Sequence, residues 1–220
     1  MKKILTGLII LCSLTAYSQN IELIGGLNKN NFFDFQQNEG HFSSSYQPDY
    51  GYTIRLGVEN ITFDCLTLRF TLGFDKYEGE LTASDGGLGG RYTTDAKIDK
   101  SVISLGVFPL NFKIVDRIDL NFGFELSGLI RENYSGTSSG WLMGNPDWSY
   151  DLNDKYDKFN SKTYFGLRGR IAYDFNISDK LAISPQYSYY FGLVKEFDEF
   201  PEETKSMRHY FCIGLQRKLK

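Results

Sequence analysis

The stretch TYFGLRGRIAYDF, residues 163–175, alternates apolar and polar side chains over thirteen positions. Phe165, Leu167 and Ile171 fall on one face of an extended chain, whereas Arg168 and Arg170 fall on the other. A period of two predicts a β-strand, because successive side chains point to opposite faces of a sheet. In a water-soluble sandwich the arginines would face solvent. In a membrane barrel they would face the interior, and the apolar side chains would face lipid.

Seven further stretches repeat this alternation, at residues 21–28, 50–59, 66–77, 101–114, 118–130, 181–193 and 207–219. The apolar parity changes once, at Pro109, and this change predicts a β-bulge. Most of the stretches have ten to thirteen residues. Soluble strands have about five or six residues, and a tilted membrane strand needs about nine to eleven. The sequence therefore predicts an all-β fold, an eight-stranded antiparallel up-and-down transmembrane β-barrel.

The connections between these strands alternate in length. Short connections follow the second, fourth and sixth strands, at residues 60–65, 115–117 and 176–180. Long connections of polar, glycine-rich or acidic composition occupy roughly residues 31–49, 79–100, 131–161 and 195–206. Outer-membrane barrels have short periplasmic turns and longer extracellular loops, so the alternation favours a barrel with its long loops outside the cell.

Aromatic residues concentrate at both ends of the predicted strands, as expected for the two interfaces of a lipid-embedded barrel. At the end that borders the long loops lie Phe32, Phe33, Phe35, Tyr46, Tyr50, Tyr52, Tyr77, Tyr134, Tyr164 and Phe191. At the opposite end lie Phe63, Phe112, Tyr173 and Phe175. The pattern predicts aromatic girdles at the two membrane surfaces.

The first residues have the pattern of a secretory signal. Lys2 and Lys3 precede an apolar run over 4–14, and 16–18 reads Ala-Tyr-Ser, a small-residue cleavage site. We expect a signal peptide over 1–18, a barrel domain over 19–220 and delivery to the outer membrane. A lipoprotein anchored at Cys12 is the alternative, but the leucine before it is larger than such a signal expects. The net charge of −3 gives no indication of a nucleic-acid partner.

The second parity of the predicted strands is polar and would line the barrel. It contains Glu22, Arg55, Glu59, Arg69, Asp75, Glu125, Arg168, Arg170, Gln186, Arg208 and Gln216. The interior of an eight-stranded barrel is only wide enough for side chains to fill. Because an unpaired buried charge is costly, we expect these groups to pair and to plug the interior. Glu125, on the strand before Arg168 and Arg170, is the first expected acidic partner.

The predicted role is structural or interactive, at the cell surface. Trp141, Trp148 and Tyr150 in the third long connection are candidates for partner contact, because exposed aromatic side chains in loops commonly serve recognition. The expected partners are outer-membrane lipid, lipopolysaccharide and an envelope protein that contacts the long surface loops. The acidic stretch 151–159 has carboxylates at a loose calcium-ligand spacing but lacks the glycine and terminal glutamate of a calcium loop. This stretch and 195–203 are interpreted as solvated or lipopolysaccharide-bridging charge. No cofactor, metal or catalytic residue is predicted.

Two alternative functions stay open from the sequence. A periplasmic barrel of lipocalin type would bind a small apolar ligand inside, but it would need apolar residues on the inward parity. An outer-membrane lipid-modifying enzyme would need a nucleophile and a base. The histidines available to it are His41, near the serines at 43–45, and His209, near Ser206.

The strands resemble those of a family of small outer-membrane β-barrels often called PorT-like. The resemblance lies in GGLNKNNF (25–32), VISLGVFPLNFKI (102–114), DLNFGFELSGLI (119–130), DKLAISPQYSYYFGL (179–193) and FCIGLQRKL (211–219). It implies an eight-stranded barrel in the outer membrane and no catalytic residues.

Overall fold

The computed structural model describes residues 20–32, 37–39, 41–63, 66–115, 117–153, 162–196 and 204–219. The predicted signal peptide lies outside the described residues, as do Phe33 and Phe35 and most of the acidic stretches at 151–159 and 195–203. The strands are β1 (Asn20–Phe32), β2 (Gln37–Glu39), β3 (Phe42–Pro48), β4 (Tyr50–Phe63), β5 (Leu66–Gly87), β6 (Gly90–Val115), β7 (Ile118–Leu142), β8 (Trp148–Asn153), β9 (Thr163–Tyr173), β10 (Phe175–Ser178), β11 (Leu181–Lys195) and β12 (Lys205–Lys218).

Eight of these strands form a closed antiparallel barrel. The order around the ring is β1, β4, β5, β6, β7, β9, β11 and β12, and β12 pairs again with β1. Each strand of the ring contains one of the eight alternating stretches. The predicted all-β, eight-stranded up-and-down barrel is therefore confirmed. No helix in the described part of the chain is long and apolar enough to cross a bilayer.

The parity change at Pro109 is a break in the ladder between β6 and β7. The register shifts between Val107 and Leu110, as the predicted bulge requires. Phe108 keeps the inward parity of Val102 and Ser104 and is buried, whereas Leu110, two residues on and past the bulge, is exposed on the outer face. Gly123 lies opposite the bulge, and a Cβ there would lie 2.0 Å from the carbonyl oxygen of Val107. The close approach of the two backbones explains glycine at this position.

Three of the long connections, 31–49, 79–100 and 131–161, are largely β-structure, which corrects the expectation of polar loops. β5 and β6 continue as a hairpin to a turn at 88–89, β7 continues to Leu142, and β3 and β8 add to its two sides. We call this five-stranded extension, 42–48, 79–99 and 133–153, the distal sheet. Small apolar residues continue the alternation there, and Leu81, Ala96 and Ile98 form a buried cluster with Phe32. The alternation of apolar and polar residues is weaker here than in the barrel strands, because most of the residues are polar.

The aromatic girdle predicted next to the long connections included residues that do not face outward. Phe32, Tyr77 and Tyr164 are buried, because they lie on the same parity as the interior charges. Tyr50 and Tyr52 do face outward and are exposed. At the opposite end of the barrel, Phe112 and Phe175 are exposed, and Tyr173 packs 4.6 Å from Phe175, centroid to centroid. Tyr46 and Tyr134 pack against the buried cluster of the distal sheet.

Candidate functional site

The barrel has a polar interior and an apolar outer face. All of the predicted lining residues are buried: Glu22, Arg55, Glu59, Arg69, Asp75, Glu125, Arg168, Arg170, Gln186, Arg208 and Gln216. The outer face exposes large apolar side chains, among them Leu23, Leu27, Ile54, Ile103, Leu105, Leu110, Phe122, Phe124, Leu126, Leu167, Ile171, Phe211, Ile213 and Leu215. This distribution is the inverse of a water-soluble protein, in which large apolar side chains are mostly inside.

The lower tier of the interior, near the end with short turns, is centred on Glu22. Its carboxylate accepts hydrogen bonds from Arg69 at 2.5 Å, from Arg170 at 3.2 Å and from Gln186 at 3.0 Å. Arg69 also pairs with Glu59. Five strands contribute these side chains, so the tier ties β1, β4, β5, β9 and β11 together across the interior.

The middle tier is an ion-pair chain. Arg55 donates to Asp75 at 2.6 Å and to Glu125 at 2.8 Å. Arg168 donates to the same oxygen of Glu125, so one carboxylate bridges two guanidinium groups. The Tyr210 ring lies beside both arginines, with its centroid 4.8 Å from Cζ of Arg55 and 4.1 Å from Cζ of Arg168. Glu125 is thus the partner of Arg168, whereas Arg170 pairs with the lower tier.

The upper tier contains three charged residues that sequence reasoning did not include, Lys100, Glu132 and Glu196. Glu196 was interpreted as part of a solvated acidic stretch, but it is buried, pairs with Arg208 and lies 3.5 Å from Lys100. The guanidinium of Arg208 lies 4.6 Å from the ring centroids of Tyr77 and Tyr190. Extending the inward parity past the predicted strand ends would have found Lys100 and Glu196. Glu132 lies on the outward parity of the fifth stretch and meets Lys100 beyond a register shift between β6 and β7. Glu196, the residue directly after β11, lies in the interior because its carboxylate has cationic partners there.

Among the residues that the structure describes, the interior ion pairs of the three tiers join six cationic and six anionic side chains. The cations are Arg55, Arg69, Lys100, Arg168, Arg170 and Arg208, and the anions are Glu22, Glu59, Asp75, Glu125, Glu132 and Glu196. The numbers of positive and negative charges are therefore equal. Pairing of opposite charges offsets the free-energy cost of removing them from water.

The distal sheet carries the aromatic residues predicted for partner contact. Trp148 and Tyr150 stack with their ring centroids 5.4 Å apart, and Tyr150 is exposed. Trp148 lies over Gly140, where a Cβ would approach its Cζ2 to 2.7 Å. A cavity of about 370 Å³ at the tip of the sheet is lined by glycines of the turn and by Asp85, Arg91, Tyr92, Trp141, Leu142 and Trp148. Burial and the nearby Asp85 carboxylate raise the pKa of Tyr92.

The opposite face of the distal sheet is hydroxyl-rich. The Ser43 and Ser84 hydroxyls lie 2.7 Å apart on neighbouring strands, and Thr82 donates to Asp95 at 3.0 Å. Tyr92, Trp148 and Tyr150 therefore share one face, the aromatic face, whereas Trp141 lies on the hydroxyl-rich face. Exposed aromatic side chains of this kind are common in recognition surfaces.

The histidines considered for an enzyme do not meet the serines considered with them. His209 faces outward, and its Nδ1 lies 2.7 Å from the Tyr187 hydroxyl, whereas Ser206 is buried on the inner parity of the same strand. His41 is exposed, and Ser43 bonds to Ser84 instead. These positions do not form the nucleophile–base pair that the lipid-modifying alternative requires.

Comparison with known proteins finds similar folds only. No family model and no curated protein matches the chain. Neisserial surface protein A is 14% identical with a TM-score of 0.43, covering 91% of this chain and 96% of that one. Ail, the attachment invasion locus protein of Yersinia pestis, is 11% identical with a TM-score of 0.41, covering 90% and 99%. The outer membrane protein OprG from Pseudomonas aeruginosa is 12% identical with a TM-score of 0.42, covering 92% and 97%.

Proposed function

We propose that this chain is an outer-membrane β-barrel protein with a plugged interior and a structural or surface-interaction role in the cell envelope. A signal peptide over 1–18 would export it, and residues 19–220 would form the barrel domain. The observation that carries the proposal is the inverted polarity of the barrel, with charges paired inside and large apolar side chains exposed outside. Only a lipid environment makes such an outer face favourable.

The same observation argues against the lipocalin alternative. A lipocalin holds a small apolar ligand in a cavity lined by apolar side chains. Here Arg55, Glu125 and Arg168 join across the middle of the interior, and further ion pairs occupy the tiers below and above. An apolar ligand would have to break these pairs and leave buried charges without partners, which costs several kcal/mol for each charge.

The paired interior supports a plugged barrel rather than a conducting pore. The Arg55–Glu125 and Arg170–Glu22 pairs cross the interior between strands that are not neighbours, so these charges are not free to line a water channel. Eight strands enclose little more space than these side chains need. The expected role therefore lies outside the lumen.

The distal sheet supports a role in surface interaction. It extends the strands beyond the apolar outer face and presents Trp148, Tyr150 and a cavity lined by aromatic and glycine residues. Tyrosine and tryptophan provide large, rigid contact areas at a low entropic cost, and are enriched in binding surfaces. We propose this aromatic face as the contact surface for an envelope or extracellular partner.

Fractionation of cells that express the full chain tests the placement. The protein should be found in the outer-membrane fraction and should migrate differently on denaturing gels before and after heating, because a closed barrel resists detergent until it is boiled. A protein in the soluble periplasmic fraction, without a heat shift, would refute the proposal. An outer-membrane barrel of the same cells serves as the positive control in each lane.

A further inference from the structure

Four outward-facing side chains form a row across four neighbouring strands. Tyr189 on β11 lies opposite His209 on β12, His209 opposite Lys29 on β1, and Lys29 opposite Tyr50 on β4. Side chains at directly opposed positions have Cβ atoms about 4.5–5.5 Å apart. The row therefore places two basic side chains next to each other, with a tyrosine on each side.

This row lies where the apolar outer face ends. The next rows toward the short turns are Tyr187, Phe211, Leu27 and Tyr52, then Pro185, Ile213, Gly25 and Ile54. Leu27 and Phe211 are 54% and 55% exposed, so the surface changes from apolar to basic within two residues of each strand. Arg217, on the same face of β12, lies eight residues further on. Eight residues span about 26 Å of strand, and a strand tilt of about 35–45° reduces this to roughly 18–22 Å along the membrane normal, comparable with the apolar band of about 25 Å.

Contacts with tyrosines hold both basic groups in place. The Lys29 ammonium lies 5.3 Å from the centroid of the Tyr50 ring. The Nδ1 of His209 is 2.7 Å from the Tyr187 hydroxyl, and its ring lies 5.0 Å from the Tyr189 ring. When the Tyr187 hydroxyl donates to Nδ1, the ring proton lies on Nε2, and that nitrogen is then a hydrogen-bond donor.

The pair also has no acidic counterpart among the residues that the structure describes. Neither Lys29 nor His209 contacts a carboxylate there, whereas the outward-facing Lys76 binds Glu78 at 2.7 Å and Asp99 at 3.1 Å. The cations inside the barrel are paired as well. Lys29 and His209 are hydrogen-bond donors that no carboxylate of the described chain satisfies, and they lie at the edge of the apolar surface. Such a pair is complementary to an anion from outside the protein.

We propose that Lys29 and His209 bind the phosphate of an anionic lipid headgroup, in the leaflet next to the distal sheet. Tyr50 and Tyr189 flank the phosphate, and the lipid's acyl chains lie along Leu27 and the apolar rows below. The inference rests on the proposed membrane position and adds to it a lipid class and a leaflet. The lysine side chain reaches the headgroup level while its methylene groups remain against the apolar surface.

Native mass spectrometry of the detergent-solubilised mature chain tests this site, with dimyristoyl phosphatidic acid as the probe. The variant K29Q/H209Q should bind the lipid at least about fivefold more weakly, the effect of losing one cationic contact at a membrane surface. R217Q is the matched control, because it removes one charge from the same outer face at the other end of the barrel. Glycerol phosphate, which has the phosphate but no acyl chains, should not compete.

The proposal is overturned if the wild-type chain binds no phosphatidic acid, if R217Q weakens binding equally, or if glycerol phosphate competes at the same concentration. Heat-modifiable gel mobility is measured for each variant. A wild-type chain that is absent from the membrane fraction contradicts the proposed function. A folded barrel in the membrane without this lipid preference contradicts only the lipid site.

Discussion

Arg55 and Glu125 lie on β4 and β7, 70 residues apart, and Nη1 of the arginine is 2.8 Å from a carboxylate oxygen of the glutamate. The two strands are not neighbours in the ring, so this ion pair crosses the barrel interior. Glu125 also accepts a hydrogen bond from Arg168 on β9. One carboxylate therefore links three strands. If Glu125 loses its charge, the buried guanidinium groups of Arg55 and Arg168 both lose an anionic partner.

E125Q is therefore expected to lower the free energy of unfolding by about 3–5 kcal/mol, the cost of breaking a buried ion pair from one side. Urea unfolding of the barrel in lipid vesicles, followed by gel mobility, measures this change. E80Q removes a charge from an exposed position of the distal sheet and should change stability by less than about 0.5 kcal/mol. Equal effects of the two substitutions would show that the interior pair is not important for stability.

Gly214 lies where the barrel wall meets the lower tier. A Cβ at this position would be 1.9 Å from Oε1 of Glu22 and 2.8 Å from Nε2 of Gln186. G214A should displace that network and destabilise the barrel by about 1–3 kcal/mol, as overpacking does. Gly25 is the matched control, since a Cβ there has no neighbour within 4 Å. If G25A and G214A unfold at the same urea concentration, the proposed crowding is absent.

Ile213 is 62% exposed in the middle of the apolar outer face. If this face lies in lipid, I213R should destabilise the inserted barrel by about 2–4 kcal/mol, because arginine near the bilayer midplane is unfavourable. S139R, on the exposed hydroxyl-rich face of the distal sheet, should have little effect. Folding yield in vesicles measures both variants. A fully tolerated I213R would place this face in water.

The two tryptophans of the chain, Trp141 and Trp148, both lie in the distal sheet. Acrylamide in the buffer should therefore quench the protein's tryptophan fluorescence, whereas lipids with brominated acyl chains should not. The variant F211W/W141F/W148F has its single tryptophan on the apolar outer face. Brominated lipid should quench this tryptophan, whereas acrylamide should quench it little. Quenching of the wild-type chain by brominated lipid would mean that the distal sheet contacts the bilayer core.

The plugged interior predicts that the purified protein gives no stable large-conductance openings in planar bilayers. Ion pairs cross the lumen in the lower and middle tiers, and Arg208, Glu196 and Lys100 occupy the upper one. A porin reconstituted in the same bilayers provides the positive control. Porin-like unitary currents from this chain would contradict the plug.

Much of the fold followed from local pattern. The alternation in stretches such as 163–175 predicted every strand of the ring, and the parity change at Pro109 predicted its bulge. Side-chain direction has a period of two along any strand, so the sequence also placed Arg168 and Arg170 on the inward face. The distal sheet escaped this reasoning, because its alternating residues are small and its composition resembles that of loops.

The sequence by itself thus determined the strands, their faces and the polar character of the interior, because these depend only on neighbouring residues along the chain. Tertiary structure alone decided which charges meet. Arg170 binds Glu22, 148 positions away, because closure of β12 onto β1 brings the first strand beside the last. The same closure sets Lys29 beside His209. Glu196 became an interior residue only because the folded barrel places Arg208 and Lys100 within its reach.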